Sequence, residues 1–397
     1  VLCPYDAGRT AGDLKAIMEW MAMSKVIDLD KFREFFLTEV EEAYPEVERT
    51  DSLPEAIHKR AAEIGCYRLT LPVEYGGYGM SVTEYLPYLE ASAEGPGVGR
   101  MLVHTTNGIW RPVHNFGNAE QRALLPKMGA GETVIAFALT EMTGGTGRDL
   151  KSVARREGDT WRLSGEKHLI TWADRADWFL IVAATDDGSA KDSLTAFLIP
   201  RDIEGFEIDA TQHTMGLHGT GHAFLRYKDM VVPDKYRLGE VGQGLEVALF
   251  FLDYSRVSLS TTMVGLAKRA LDESVKFAKR RVTFGKPIAT RAQMQTHLAM
   301  MHADIEAARY LVRHAAKLCE DGKDFTPQAA TAKLFNLNMV GRVTDLALRV
   351  HGGWGYTREA PIERIYRDAR GYWFEEGTAE IQQLVVARHV LETSAAA

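Results

Sequence analysis

The residues able to do chemistry are spread along the chain and match few general-purpose motifs. There is no Gly-x-x-x-x-Gly-Lys-Ser/Thr phosphate loop, no Gly-x-Ser-x-Gly elbow and no His-Glu-x-x-His pair. His297 and His302 lie five apart, a spacing that does not put two zinc ligands on one helical face, so no metal site is expected. Cys3, Cys66 and Cys319 are odd in number and far apart, which fits a reducing compartment and not a disulfide framework. Three segments remain. Phe137-Ala138-Leu139-Thr140-Glu141 runs into a Gly-rich turn, Gly144-Gly145-Thr146. The basic run Lys279-Arg280-Arg281 leads into Val282-Thr283-Phe284-Gly285. Near the C-terminal end stand Glu375-Glu376-Gly377-Thr378. Taken singly these residues read blandly: Thr140 as an ordinary strand residue, Arg281 as a solvated charge, Glu376 as a surface carboxylate. Their chemical potential lies in a guanidinium fork that matches two oxygens at once. A carboxylate held in place to take a proton is the other possibility. Gly377, without a side chain, lets the backbone come close to a ligand.

The elements that must position them follow from hydrophobic period. From about Lys15 to Met128 apolar residues recur at helical spacing, as in Leu29, Phe32, Phe36 and Val40, then Ile57, Ala61 and Ile64. Pro72 to Gly79 interrupts them as a Gly-rich loop. From about Gly131 to Glu240 the signals are short and β-like, at Val134–Leu139, Leu169–Thr171, Trp178–Ala184 and Leu194–Ile199, with turns at Glu157-Gly158-Asp159 and Asp186-Asp187-Gly188. A six- to eight-stranded barrel or sandwich is expected there. From about Leu245 the helical period returns. Met294, Leu298, Met301, Ile305, Ala308, Val312, Ala315 and Leu318 form one stripe, and Thr326-Pro327 reads as a cap with proline at the first position of a helix running to Arg349. The expected fold is α+β and multidomain: an N-terminal helical domain (1–130), a middle β domain (131–240) and a C-terminal four-helix bundle (241–397).

Composition narrows the function classes. The chain has 397 residues, 46% hydrophobic and 25% charged, so it has material for more than one core and is not disordered as a whole. The longest aliphatic and aromatic run, Val247 to Leu252, is far short of the roughly 20 residues of a membrane span. A net charge of −7 argues against a nucleic-acid partner. No secretory signal is visible at Val1-Leu2-Cys3-Pro4, so the cytoplasm is expected, or the mitochondrial matrix for a chain whose transit peptide was removed.

Placed in order, the segments resemble a known family. Ala136 to Glu141 with Gly145-Thr146 resembles the first signature of the acyl-CoA dehydrogenases, and Arg281-Val282-Thr283-Phe284-Gly285-Lys286-Pro287-Ile288 the second. His351-Gly352-Gly353-Trp354-Gly355-Tyr356, Pro361-Ile362-Glu363-Arg364, Arg367 to Arg370 and Glu376 to Ile381 resemble its C-terminal block. Gly76 to Gly79 and Lys167 to Thr171 fall where that family has similar segments, so the resemblance covers nearly the whole chain.

The resemblance implies FAD as cofactor and α,β-dehydrogenation of an acyl-CoA thioester, with acyl-CoA oxidase or acyl-carrier-protein dehydrogenase as the alternatives on the same fold. It assigns Glu376 as the base that takes the α-proton while the β-hydrogen leaves as hydride to flavin N5. Phe137, Leu139, Thr140, Thr146, Leu169 and Thr171 would surround the flavin. Arg281, Thr283, Phe284, Arg349, Gly352 and Gly353, with Thr378 and Glu380, would complete cofactor binding, Arg281 and Phe284 reaching it from a neighbouring subunit. Thr146, Asp253, Arg256 and Gly377 would meet the substrate. Some members carry the base on the preceding helix, where this chain has Ser255, which cannot serve. Glu375 is read as a supporting or surface group. An electron-transfer flavoprotein is the implied electron acceptor, and a homodimer or homotetramer the implied assembly. The chain departs from the family pattern at Met142, at Gly147 with Asp149 displaced, at Ala292 and at Arg349. Trp110 and Trp373-Phe374 are candidates to shape the acyl pocket, or to pack a core.

Overall fold

The computed structural model describes residues 27–145, 149–185 and 193–394. The start of the expected helical stretch, the turn at Asp186-Asp187-Gly188 and Thr146 lie outside the described residues. The N-terminal helices are α1 (Leu29–Leu37), α2 (Glu39–Thr50), α3 (Glu55–Glu63), α4 (Val82–Ala93), α5 (Gly97–His104), α6 (Thr106–Phe116), α7 (Ala119–Arg122) and α8 (Leu125–Gly129). Asp28 caps α1 through backbone N–H groups of Asp30 and Lys31, and Ser81 with Glu84 forms a reciprocal capping box on α4. Pro72 to Gly79 is a loop containing one short 3-10 turn, Val73–Tyr75.

The strands are β1 (Ile135–Ala138), β2 (Val153–Glu157), β3 (Thr160–Ile170), β4 (Trp178–Thr185), β5 (Leu194–Pro200), β6 (Phe206–Thr211), β7 (Ala223–Pro233) and β8 (Arg237–Leu238). They form one eight-stranded sheet in the order β6-β7-β3-β2-β4-β5-β8, with β1 parallel to β4. The expected strand at Leu169–Thr171 is the end of the long β3, and Thr171 lies just beyond it. Alternation along β4 explains its apolar sequence. Phe179, Ile181 and Ala183 face one cluster, with Trp161, Leu163, Phe197, Leu225 and Tyr227; Leu180 and Val182 face another, with Trp110, Val247 and Phe251 from the helices. Phe179 of β4 meets Phe206 of β6 at 4.9 Å, although the two strands are far apart in the sheet order, so the sheet folds over its own core like a sandwich.

The last block holds α9 (Gly244–Arg280), a hairpin β9 (Val282–Thr283) and β10 (Lys286–Pro287), α10 (Ala292–Glu320), α11 (Thr326–His351), α12 (Pro361–Gly371) and α13 (Ala379–Ser394). The α10 stripe packs as its period requires, with Met301, Ile305, Ala308, Val312 and Ala315 buried. α11 corrects one expectation. Thr326 is its first residue and not its cap, because the Thr326 hydroxyl donates to Asp253 (3.3 Å) while the Asp324 carboxylate accepts from Thr326 N–H (3.1 Å). α9, α10 and α11 pack on one another, α13 packs on α11, and α4 packs against α9 and α10. One apolar cluster therefore runs through the first helices and the last, from Phe32 and Leu89 to Val264, Met301 and Val343. Among the described residues, no helix is long and apolar enough to cross a membrane.

Candidate active site

Glu376 sits in the short connection between α12 and α13, and the connection is unusual backbone. Glu376 (φ 52°) and Gly377 (φ 86°) are both left-handed. Only glycine adopts that conformation without cost, and a Cβ at Gly377 would also stand 3.0 Å from Gln382 Nε2. The turn is held from below. Lys333, fully buried on α11, donates through Nζ to the carbonyls of both Glu375 and Gly377. Gln382 Nε2 donates to Gly377 O at 3.1 Å and to Glu376 O at 3.4 Å. Burial pushes the Lys333 ammonium down to about 8, against the opposing pull of Glu376 and Glu375. Three carbonyls thus have fixed donors, and the Glu376 side chain is presented with little freedom.

That side chain is 14% exposed and faces a histidine. His104 Nε2 lies 3.4 Å from Glu376 Oε1 and 3.1 Å from Ser255 Oγ. Ser255, on α9, was the position where a family base on the preceding helix would stand; it borders the same cluster. Glu375 points elsewhere. Its Oε1 pairs with Arg100 Nη2 at 2.6 Å, and Arg100, 1% exposed, lies over the Tyr372 ring at 4.3 Å. Burial alone would raise the Glu375 carboxyl, but the Arg100 guanidinium holds it below the usual range. Glu375 is therefore a part-buried ion-pair partner of Arg100.

A second set of residues surrounds the open end of β1 and β3. Phe137 packs its ring on Phe251 of α9 at 4.9 Å, and Leu139 is buried. Thr140 is exposed, its carbonyl accepting from His168 N–H at 2.8 Å. Lys167 stitches this region together: fully buried, it donates to Leu139 O (3.0 Å), Val182 O (2.7 Å) and Glu141 Oε1 (2.8 Å). Leu169 has φ 55° and is 38% exposed, its N–H donating to Gln212 Oε1. Thr171 follows, and the next residue, Trp172, donates to Thr105 Oγ1 at 2.9 Å, which ties this end of β3 to the helix junction carrying His104. Among the described residues neither the Thr140 nor the Thr171 hydroxyl has a protein hydrogen bond, and Gly145 passes close to Thr140, where a Cβ would stand 3.4 Å from its hydroxyl. Two free hydroxyls beside an exposed leucine fit the edge of a flat polar ring.

The remaining residues divide by distance. Asp253 and Arg256 pair on α9 within a turn of Ser255, and burial raises the Asp253 carboxyl despite that partner. Thr378 and the exposed Glu380 open α13 directly after the Glu376 turn. Arg281, Thr283 and Phe284 do not join them. Ser255 and Arg280 stand 25 positions apart on one helix, about 37 Å. There a two-residue hairpin turn puts Phe284 (φ 49°) and Gly285 (φ 75°) in left-handed backbone, with Phe284 96% exposed and Arg281 exposed beside it. The end of α11 meets that end of α9, His351 stacking on Phe277 at 4.6 Å. Arg349, paired with Asp345 at 2.8 Å, therefore belongs to the far group, as do Gly352 and Gly353, where an added Cβ would meet open space. Trp110 is core: 2% exposed, with its indole N–H donated to Thr70 Oγ1. Arg100, His104, Lys333 and Lys167 were missed. The available signals were Arg100 and His104 at i,i+4 on one short helix, and Lys333 interrupting an alanine-rich stripe.

Comparison with known proteins identifies the family. The acyl-CoA dehydrogenase N-terminal domain matches residues 29–132, the middle domain 136–230 and the C-terminal domain 242–391. An acyl-CoA dehydrogenase of Bacillus subtilis (strain 168) is 33% identical over 363 residues, 90% of this chain and 96% of that protein. The caffeyl-CoA reductase-Etf complex subunit CarC of Acetobacterium woodii is 33% identical over 88% of this chain and 93% of its own length. An acyl-CoA dehydrogenase from Bacillus anthracis solved in complex with FAD superposes with a TM-score of 0.84 at 28% identity, covering 97% of this chain and 67% of that one. The chain belongs to the acyl-CoA dehydrogenase family.

Proposed function

We propose that this protein is an FAD-dependent acyl-CoA dehydrogenase in which Glu376 removes the α-proton of a bound acyl-CoA thioester. The observation that carries the assignment is the Glu376 turn: a carboxylate 14% exposed, on backbone fixed at three carbonyls by Lys333 and Gln382. A base of this kind needs a set position more than an altered strength. The Glu376 N–H has no protein acceptor among the described residues and is available to the thioester oxygen, where such a donor is typically worth about 3–4 kcal/mol in the transition state. FAD, when bound, would supply the hydride acceptor, and Thr140, Thr171 and Leu169 would hold it, the two threonines through their hydroxyls. Asp253 and Arg256 hold the CoA side of the substrate.

Arg281, Thr283, Phe284, Arg349, Gly352 and Gly353 serve the cofactor of a second copy, since about 37 Å of helix separates them from Ser255. The working assembly is then at least a homodimer. Reducing equivalents leave to an electron-transfer flavoprotein; the relative CarC is named as part of an Etf complex. A cytoplasmic location suits this reading. We divide the chain at 1–130, 131–240 and 241–397, which separates the helices ending at Gly129 from the sheet, and the sheet ending at Leu238 from α9.

The test is anaerobic mixing of the flavinated protein with a panel of straight, branched and cyclic acyl-CoAs, followed by flavin absorbance. Glu376→Gln should keep the flavin and the substrate while slowing flavin reduction by about 10²–10⁴-fold or more. Normal reduction in that variant would move the base elsewhere.

A further inference from the structure

The Glu376 carboxylate has one close side-chain partner that the proposed chemistry does not use. His104 ends α5, and its ring, 1% exposed, stands between α9 and the turn after α12. One nitrogen, Nε2, faces both Ser255 Oγ (3.1 Å) and Glu376 Oε1 (3.4 Å). The other, Nδ1, is buried and has no partner among the described residues. The ring has three possible forms, and the surroundings select among them. A proton on Nδ1 would be an N–H buried without an acceptor, which disfavours both the imidazolium and the Nδ1–H tautomer. The Nε2–H tautomer leaves only a bare lone pair at Nδ1 and points its proton at the two oxygens.

We propose that His104 is a positioning residue for the base: its Nε2–H, shared between Ser255 and Glu376, holds Oε1 of the carboxylate and leaves Oε2 to take the substrate proton. The proposal rests on Glu376 being the base. His104 neither receives nor supplies a proton in the reaction. It fixes the carboxylate rotamer on a turn whose backbone is already fixed, so the last free torsions of the side chain are removed before substrate arrives. The other charged and titratable groups around the turn are Lys333 from α11, Arg256 from α9, Glu375 with its partner Arg100 from α5, and His222 beside Glu375. Lys333 is committed to the carbonyls of Glu375 and Gly377, and Arg100 to Glu375, so His104 is the group aimed at the Glu376 side chain itself.

The experiment uses the flavinated protein and the acyl-CoA that reduces it fastest, with rapid-mixing traces over a range of acyl-CoA concentration. His104→Leu removes the donor and should slow flavin reduction by about tenfold to a hundredfold, with half-saturation little changed. His104→Gln, which keeps an N–H donor near the Nε2 position, should recover most of the rate. Adding His104→Leu to Glu376→Gln should cost nothing further. A parental rate in His104→Leu, or a Gln variant as slow as the Leu variant, overturns the positioning role while Glu376→Gln remains inactive. Should Glu376→Gln reduce its flavin normally, the base assignment fails, and the role of His104 falls with it.

Discussion

Two adjacent glutamates in one turn have opposite fates, and the difference lies in what each side chain meets. Glu376 faces a histidine ring nitrogen at 3.4 Å; Glu375 faces a buried guanidinium at 2.6 Å. By type and exposure the two are indistinguishable in the sequence, and Glu375→Gln looks like a harmless control for Glu376→Gln. The ion pair changes that expectation. Removing the carboxylate leaves the Arg100 cation 1% exposed with only the Tyr372 ring beneath it, and breaking a buried pair this way typically costs about 3–5 kcal/mol. Glu375→Gln should therefore melt well below the parent protein while its folded, flavinated fraction reduces flavin at close to the parental rate. Arg100→Met combined with Glu375→Gln should regain much of the lost stability, since no unpaired charge remains. Calorimetric melting alongside rapid mixing separates the two effects. A Glu375→Gln protein with parental melting and lost reduction would exchange the roles assigned to the two residues.

At the scale of elements, the sheet is tied to the site by a charge inside it. Lys167 on β3 reaches through to Leu139 O and Val182 O, and Glu141 pairs with it while accepting from Lys151 and Ser152 N–H groups. This network fixes the exit of β1, and hence Thr140, without either charge touching a ligand. Burial would raise the Glu141 carboxyl, but Lys167 with the two backbone N–H donors and the Ser152 hydroxyl holds it below 4.5. Its contribution is therefore present above pH 4.5 and is lost as pH falls through the lower folded value. Burial brings Lys167 down to about 8 from 10.5, so in that interval the unfolded chain binds more protons and stability rises with pH. Glu141→Gln should cost about 3–5 kcal/mol at neutral pH by stranding Lys167, and should flatten the acid limb of a melting-temperature profile. An unchanged acid limb would place the titrating carboxylate elsewhere. This network also marks the limit of what was legible beforehand. Periodicity located β1, β4, β5 and the α10 stripe, because alternation and helical spacing record which faces are buried. It could not record that Lys167 and Lys333 point inward, because a lysine in a short window reads as a solvated charge and its acceptors here are carbonyls distant in sequence. The Glu376 turn was legible by its resemblance; its histidine, 272 residues earlier in the chain, was not.

At the scale of the whole molecule, the chain leaves surfaces that a lone copy does not cover. Phe284 is 96% exposed, Tyr356 91%, Leu391 72% and Leu384 64%, all in the helical C-terminal block. On α13 one residue, Gln382, is buried, and Leu384, Val390 and Leu391 face outward. Apolar surface of this kind calls for a partner, and closed symmetry makes a second copy the economical one. The hairpin argues the same way. Holding a phenylalanine in left-handed backbone is costly, and Phe284 makes no core contact that offsets it. Its cost is accounted for if the ring, with Arg281 beside it, is spent on the cofactor of a neighbour. Arg281→Glu then becomes the decisive change. Arg281 is exposed and its backbone bonds to Phe277 and Ile288 do not involve the side chain, so the variant should melt close to the parent as apoprotein. FAD retention should fall sharply, because a carboxylate would face the pyrophosphate in place of a guanidinium. Mixing Arg281→Glu chains with Glu376→Gln chains adds a second readout: a mixed dimer regains one site with an intact base and an intact donor arginine, and activity should reappear from two inactive parents. Sedimentation should find that activity in the dimer or a larger species. A flavinated, active monomer, or a mixture that stays as inactive as its parents, would show that each chain completes its own site.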